Sequence, residues 1–189
     1  MYYRGGTPIP ERLEAADRDV LLVQDCCPPS QGAVNGLSHM QFLTRMLDVA
    51  AIVRVIRIEP SLNPARDWID SDVTVEVEEV LKGDSRGPVS GQRLMLRYEE
   101  GAGMVGQTRI VARRTWARPI QAGESYLVFL ERATKGAFRP LEPTLTFETA
   151  GETFRPLLAS SSLVVPAATA REEIRLSAAL PKPSLGGPQ

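Results

Sequence analysis

A chain of 189 residues, 43% hydrophobic and 24% charged, has ordinary globular composition, and its length predicts one domain with or without tails. Its net charge of −1 predicts neither general affinity for nucleic acid nor a trap for acidic substrates. The only cysteines, Cys26 and Cys27, are neighbours, so a structural intrachain disulfide is not expected, and one His without a CxxC motif falls short of a zinc ligand set.

Residues 1–36 hold Gly5, Gly6, Pro8, Pro10, Pro28, Pro29, Gly32 and Gly36 with little periodicity, which predicts a flexible arm. Met1 to Asp19 lacks the basic-then-apolar layout of a signal peptide, and Val20 to Val23 is too short for its apolar region. The residues before Cys26 do not form a lipobox, and no segment approaches the roughly 18 apolar residues of a membrane helix. A cytoplasmic chain, or an export product with a truncated or misassigned start, is the expectation.

The domain proper is expected over 37–158. Ser38 and Gln41 have the spacing of a capping box, and Met40, Leu43 and Leu47 then share a face, which predicts a short amphipathic helix over 39–49. His39, in its first turn, is expected to be solvated. Ala51 to Ile58 reads as a central strand whose alternation is broken by Arg54 and Arg57, so a bulge or a change of exposure is expected. Pro60 to Pro64 reads as a loop. From Asp72 to Leu81, Val73, Val75 and Val77 share one face, Thr74, Glu76 and Glu78 the other, and the phase slips at Glu78–Glu79.

Gln92 to Tyr98 alternates again, with Leu94, Leu96 and Tyr98 inward and Arg93, Met95 and Arg97 outward. Gly101, Gly103 and Gly106 predict a pliant loop, since no phosphate-binding Lys-Ser/Thr follows. Arg109 to Trp116 is a weaker strand, and the apolar run Ser125 to Leu130 predicts a strand buried on both sides. Gly136 to Leu141 with Leu145 to Phe147 predicts a last hairpin. Over 159–189, Ser160 to Ser162 reads as a linker. Thr169 to Glu172 reads as a capping box opening a helix through Ile174, Leu176 and Leu180, and a loose tail follows. The expected class is all-β with small α content: a five- or six-stranded Greek-key barrel flanked by a short N-terminal and a short C-terminal helix.

Three stretches carry a resemblance: Ala50-Ala51-Ile52-Val53-Arg54-Val55; Val73-Thr74-Val75-Glu76-Val77-Glu78-Glu79-Val80-Leu81-Lys82-Gly83; and Ala122-Gly123-Glu124-Ser125-Tyr126-Leu127-Val128-Phe129-Leu130. In this order they resemble the netrin-like and tissue-inhibitor-of-metalloproteinases-like OB barrel, especially its bacterial relatives, over a little more than half of the chain. The resemblance implies a barrel that binds proteins or small ligands, and an extracytoplasmic setting if the start is truncated or misassigned. The inhibitors' N-terminal metal-chelating cysteine has no counterpart, because Cys26 and Cys27 are internal, so no inhibitory residue carries over.

No catalytic constellation is visible: a triad needs a base, His39 stands alone, and no Gly-x-Ser-x-Gly elbow occurs. No cofactor is expected. The leading reading is a non-catalytic binding module for a protein partner, contacted through outward Arg93, Met95 and Arg97. The alternative is a single-stranded nucleic-acid binder. There Arg93, Arg97, Arg109, Arg113, Arg114 and Arg118 would line a basic groove beside Tyr98 and Trp116.

Overall fold

The computed structural model describes residues 9, 20–24, 38–133, 137–139, 141–158, 161 and 163–180, which are mostly β with two helices. Cys26, Cys27, Gly136 and the expected tail lie outside the described residues. The helices are α1 (His39–Met46) and α2 (Ala167–Ala178). The strands are β1 (Val20–Gln24), β2 (Val49–Leu62), β3 (Ile69–Lys82), β4 (Arg93–Tyr98), β5 (Gly101–Val105), β6 (Thr108–Arg114), β7 (Ser125–Leu130), β8 (Thr146–Ala150), β9 (Thr153–Pro156) and β10 (Val165–Pro166). Seven pair antiparallel in the order β10-β9-β8-β7-β2-β3-β4, and a smaller sheet runs β1-β6-β5.

The alternation in β3 is realised: Val73, Val75 and Val77 are buried while Thr74, Glu76 and Glu78 face outward. The expected slip is a bulge, since Ile52 pairs with Glu79 but Val53 pairs with Val77, leaving Glu78 unmatched. β2 changes exposure along its length as expected. Its first half is buried on both faces between β3 and β7; its second half, beyond the end of β7, is largely exposed.

β7 divides the interior. Tyr126, Val128 and Leu130 join the valines of β2 and β3 in one core, while Leu127 and Phe129 enter a second with Ala50, Ile52, Phe147 and Phe154. The two helices close that second core with Met40, Leu43, Ala170 and Ile174. α1 carries the expected capping box, and the Lys82 ammonium donates to the carbonyls of Thr44 and Leu47 at its C-terminal end. A third core, of Val20, Leu22, Trp68, Ile69, Ile110 and Ala112, lies under the smaller sheet.

Several expectations are corrected. The described residues hold ten strands rather than five or six. Val20–Gln24, placed in the arm, is a strand running parallel to β6, because alternate residues Val20 and Leu22 bury on the third core. β2 runs through the expected loop at Pro60, which pairs with Ser71 of β3 beyond the point where β7 ends at Arg54, so β2 is there without its second ladder neighbour. The glycine-rich stretch is strand β5, turning at Gly106. Gly101 is required there, since a Cβ would lie 2.5 Å from Ser71 Oγ and 2.9 Å from Ile69 Cγ2.

The last hairpin is β8–β9, later than expected. α2 begins at Ala167 after Pro166, and Thr169 is interior to it, so that capping box is not used. Leu176 and Leu180 are exposed, while Ala167, Ala170 and Ile174 form the buried stripe. His39 is half-buried rather than solvated, its ring 5.9 Å from Phe147, and burial lowers its imidazole pKa.

Candidate functional site

Period two in β6 buries Ile110 and Ala112, and the same phase carries Arg114 inward at the strand's end. Its guanidinium is only 4% exposed. Facing it is the corner between β4 and β5, made of Tyr98, Glu99 and Glu100. The Trp68 indole N–H donates to the Glu99 carbonyl (2.8 Å), and the Ser71 hydroxyl donates to the Glu100 carbonyl (2.7 Å). Two groups anchored near or on β3 thus hold Glu99 and Glu100 by their backbone.

Three carboxylates converge on Arg114. Nη2 donates to Glu99 Oε2 at 2.9 Å, Glu100 Oε1 lies 3.8 Å from Nη1, and Glu142 Oε2 lies 3.8 Å from Nη2. The guanidinium also lies 5.6 Å from the centre of the Trp116 ring. Arg114 Nη1, Glu100 Oε1 and the Tyr98 hydroxyl are all buried and make no hydrogen bond of ordinary geometry within the protein, although the Tyr98 hydroxyl is near enough to the Glu100 carboxyl to interact with it. Buried polar atoms are nearly always bonded, so three such atoms in one place mark either a cost or a binding site.

These three side chains line a half-open cavity of about 690 Å³ between the smaller sheet and the adjoining ends of β2, β3 and β4. The other walls are mainly apolar, with Ile58, Pro60, Ala102, Ala112 and Ile120 among them. Burial raises the Glu100 carboxyl to about 7, partly opposed by the Arg114 guanidinium. The Tyr98 hydroxyl is pushed above the ordinary tyrosine range by the same burial and then by Glu100. A cavity of this size, apolar with a few convergent polar groups, has the character of a small-ligand site.

The six residues expected to form a binding surface do not form one group. On the outer face of β4, Arg93 pairs with Glu76 (3.7 Å), Arg97 donates twice to Asp70 (2.9 and 2.7 Å), and Met95 is 75% exposed. Arg113 is exposed, Arg114 is buried on the opposite side of the same strand, and Trp116 is half-buried beside it. Arg118 binds Glu148 and the Pro156 carbonyl. Arg114 and Trp116 therefore belong to the cavity or its edge, Arg113 to its rim, and the β4 residues to a separate surface.

Glu100 was not marked as a site residue by sequence, and Tyr98 was placed only as an aromatic beside the arginine groove. The available signal was the in-phase position of a charged Arg114 behind Ile110 and Ala112. Among the described residues, no group of three or more His, Cys, Asp or Glu side chains is placed to hold a metal ion. No helix among them is long and apolar enough to cross a membrane. No protein-family model matches the chain, and no curated protein matches it.

Proposed function

We propose that the chain is a non-catalytic binding module of netrin-like OB type, and that it receives part of a partner in the cavity beside Arg114. The observation that carries this reading is the set of three buried, unpartnered polar atoms on Tyr98, Glu100 and Arg114 at one end of a largely apolar space. A ligand group that satisfied them would add hydrogen bonds the protein does not make within itself, which is a direct source of affinity.

The barrel reading is supported by bonds after β7. Ala133 N–H donates to the Ala137 carbonyl (2.8 Å), Arg139 N–H to the Glu131 carbonyl (2.9 Å) and Leu141 N–H to the Arg97 carbonyl (2.6 Å). They tie residues 137–139 to the end of β7 and Leu141 to β4, the edge strand of the larger sheet. Together with the β7-β2-β3-β4 pairings these bonds support the barrel reading, since a small barrel needs its edge strands brought together.

The test is an NMR titration of the full chain with a panel of small amphipathic molecules. Shift changes centred on Ile58, Ala112 and Ile120, and lost in Ala102→Trp, are expected. A panel that shifts only the outer face of β4 would move the binding surface away from the cavity and overturn this reading.

A further inference from the structure

From the charge arrangement around the cavity, we infer that its occupant is an alkylammonium group: an aliphatic stem ending in a protonated amine held by Glu100 and the Tyr98 hydroxyl. This rests on the cavity being the binding site and specifies what it accepts.

One buried guanidinium faces three carboxylates, those of Glu99, Glu100 and Glu142, all within 3.8 Å. Arg114 is thus compensated more than once before any ligand arrives. An incoming carboxylate would add a further negative charge to a group already in excess, in a site where Tyr98, Glu100 and Arg114 are each at least 96% buried. An ammonium instead reduces the excess. Its three N–H donors suit Glu100 Oε1 and the oxygen of Tyr98, two of the three unpartnered buried atoms. The apolar walls suit the stem, as lysine stems pack against apolar surface elsewhere.

The charged and titratable groups around Glu100 are Tyr98 from β4, Glu99 in the corner, Arg113 and Arg114 from β6, and Glu142 ahead of the 3-10 turn Pro143–Leu145. β2 and β3 contribute Ile58, Pro60 and Ser71 to the lining, none of which titrates there. Arg113 is exposed on the other side of β6 and so acts on the mouth. The Glu100 carboxyl, with its pKa raised to about 7, must give up its proton to pair with a cation. Ammonium binding therefore releases a proton and strengthens as pH rises, by at most about tenfold per pH unit. It weakens again only where the amine itself deprotonates, at about pH 10.

The same chemistry comes from two sources, a free amine or the lysine side chain of a partner protein. The experiment is calorimetric titration of the full chain with hexylamine, 1-hexanol, hexanoate and N-acetyl-lysine methylamide, from about pH 6 to about pH 8. Hexylamine or the lysine derivative is expected to bind at least about tenfold tighter than hexanol or hexanoate, a difference of about 1.4 kcal/mol. That preference is expected to rise with pH and to vanish in Glu100→Gln. The tighter of the two amines identifies the source.

If hexanol or hexanoate binds as well as the amines, or amine affinity is flat with pH, the ammonium assignment falls while the cavity remains a binding site. If none of the four binds, both fall. The pH dependence is read on the unsubstituted chain, so the outcome does not depend on whether Glu100→Gln folds.

Discussion

Glu100 Oε1 and Arg114 Nη1 lie 3.8 Å apart, near enough to attract as charges and too far to share a hydrogen bond, and both atoms are buried without another partner. The gap leaves an acceptor and a donor facing the same space. Four consequences for stability and one for surface behaviour can be measured.

The first concerns pH. The Glu100 carboxyl is raised from its ordinary value near 4.5 to about 7, so between these values the folded protein holds a proton that the unfolded chain has lost. Stability from this group is complete below about pH 4.5 and declines as pH rises to about 7. Urea denaturation of the wild type and Glu100→Gln across this window should show a difference that grows with pH in favour of the glutamine. A constant difference would mean that Glu100 titrates normally.

Arg114→Ala removes the cation from beneath three carboxylates and is expected to cost about 3–5 kcal/mol. Arg93→Ala, whose partner Glu76 also pairs with Arg54 on an exposed face, should change stability by no more than about 0.5 kcal/mol. Equal losses in chemical denaturation would contradict the buried placement of Arg114.

At Gly101 any side chain collides with Ser71 and Ile69. Gly101→Ala is expected to destabilise by about 1–3 kcal/mol, and Gly101→Val by more. Gly103→Ala is the control, because its Cβ would meet only Pro60 carbons at 3.5 and 3.6 Å. The two alanine variants melting at the same temperature would rule out the close approach.

Phe147 is fully buried between Phe129 and His39, so Phe147→Ala should cost about 3–5 kcal/mol. Leu176→Ala, on the exposed side of α2, should lie within about 0.5 kcal/mol of wild type. Thermal melts of the pair would distinguish the buried and exposed sides of the helical layer.

Labelled single-stranded DNA and RNA are expected to show no binding by fluorescence anisotropy at low salt. Arg93, Arg97, Arg114 and Arg118 already hold carboxylates, which leaves Arg109 and Arg113 too few to form a groove. Tight, salt-sensitive binding weakened by Arg113→Ala would restore the nucleic-acid alternative.

Elements with a buried face were legible in sequence, because burial on one side imposes period two or a helical stripe on the residues and burial on both sides an unbroken apolar run. β3 and β4 show it in their alternating valines and leucines, α1 in Met40 and Leu43, and β7 in an unbroken apolar run with a core on each side. β5 was not legible: alternate positions are glycine because the backbone presses against Ser71 and Pro60, and glycine carries no periodicity. β1 looked like linker because its partner is remote in sequence. The cavity was hidden for a related reason. Tyr98, Glu100 and Arg114 come from different strands, and a buried arginine reads in one dimension like its exposed neighbour Arg113.

The parallel pairing of β1 with β6 bears on how the molecule is made. Val20 rests beside Ile110, so β1 leaves the ribosome long before its partner has been synthesised. Until then its buried residues Val20 and Leu22 have no surface to dock on, whereas β2 and β3 pair through a short connection as soon as both emerge. β6 in turn precedes β7, so a nascent chain that ends after Arg114 holds every strand of the smaller sheet before Tyr126, Val128 and Leu130 have reached the valine core. The wall of the cavity built on β6 is therefore made before the larger sheet beside it is complete.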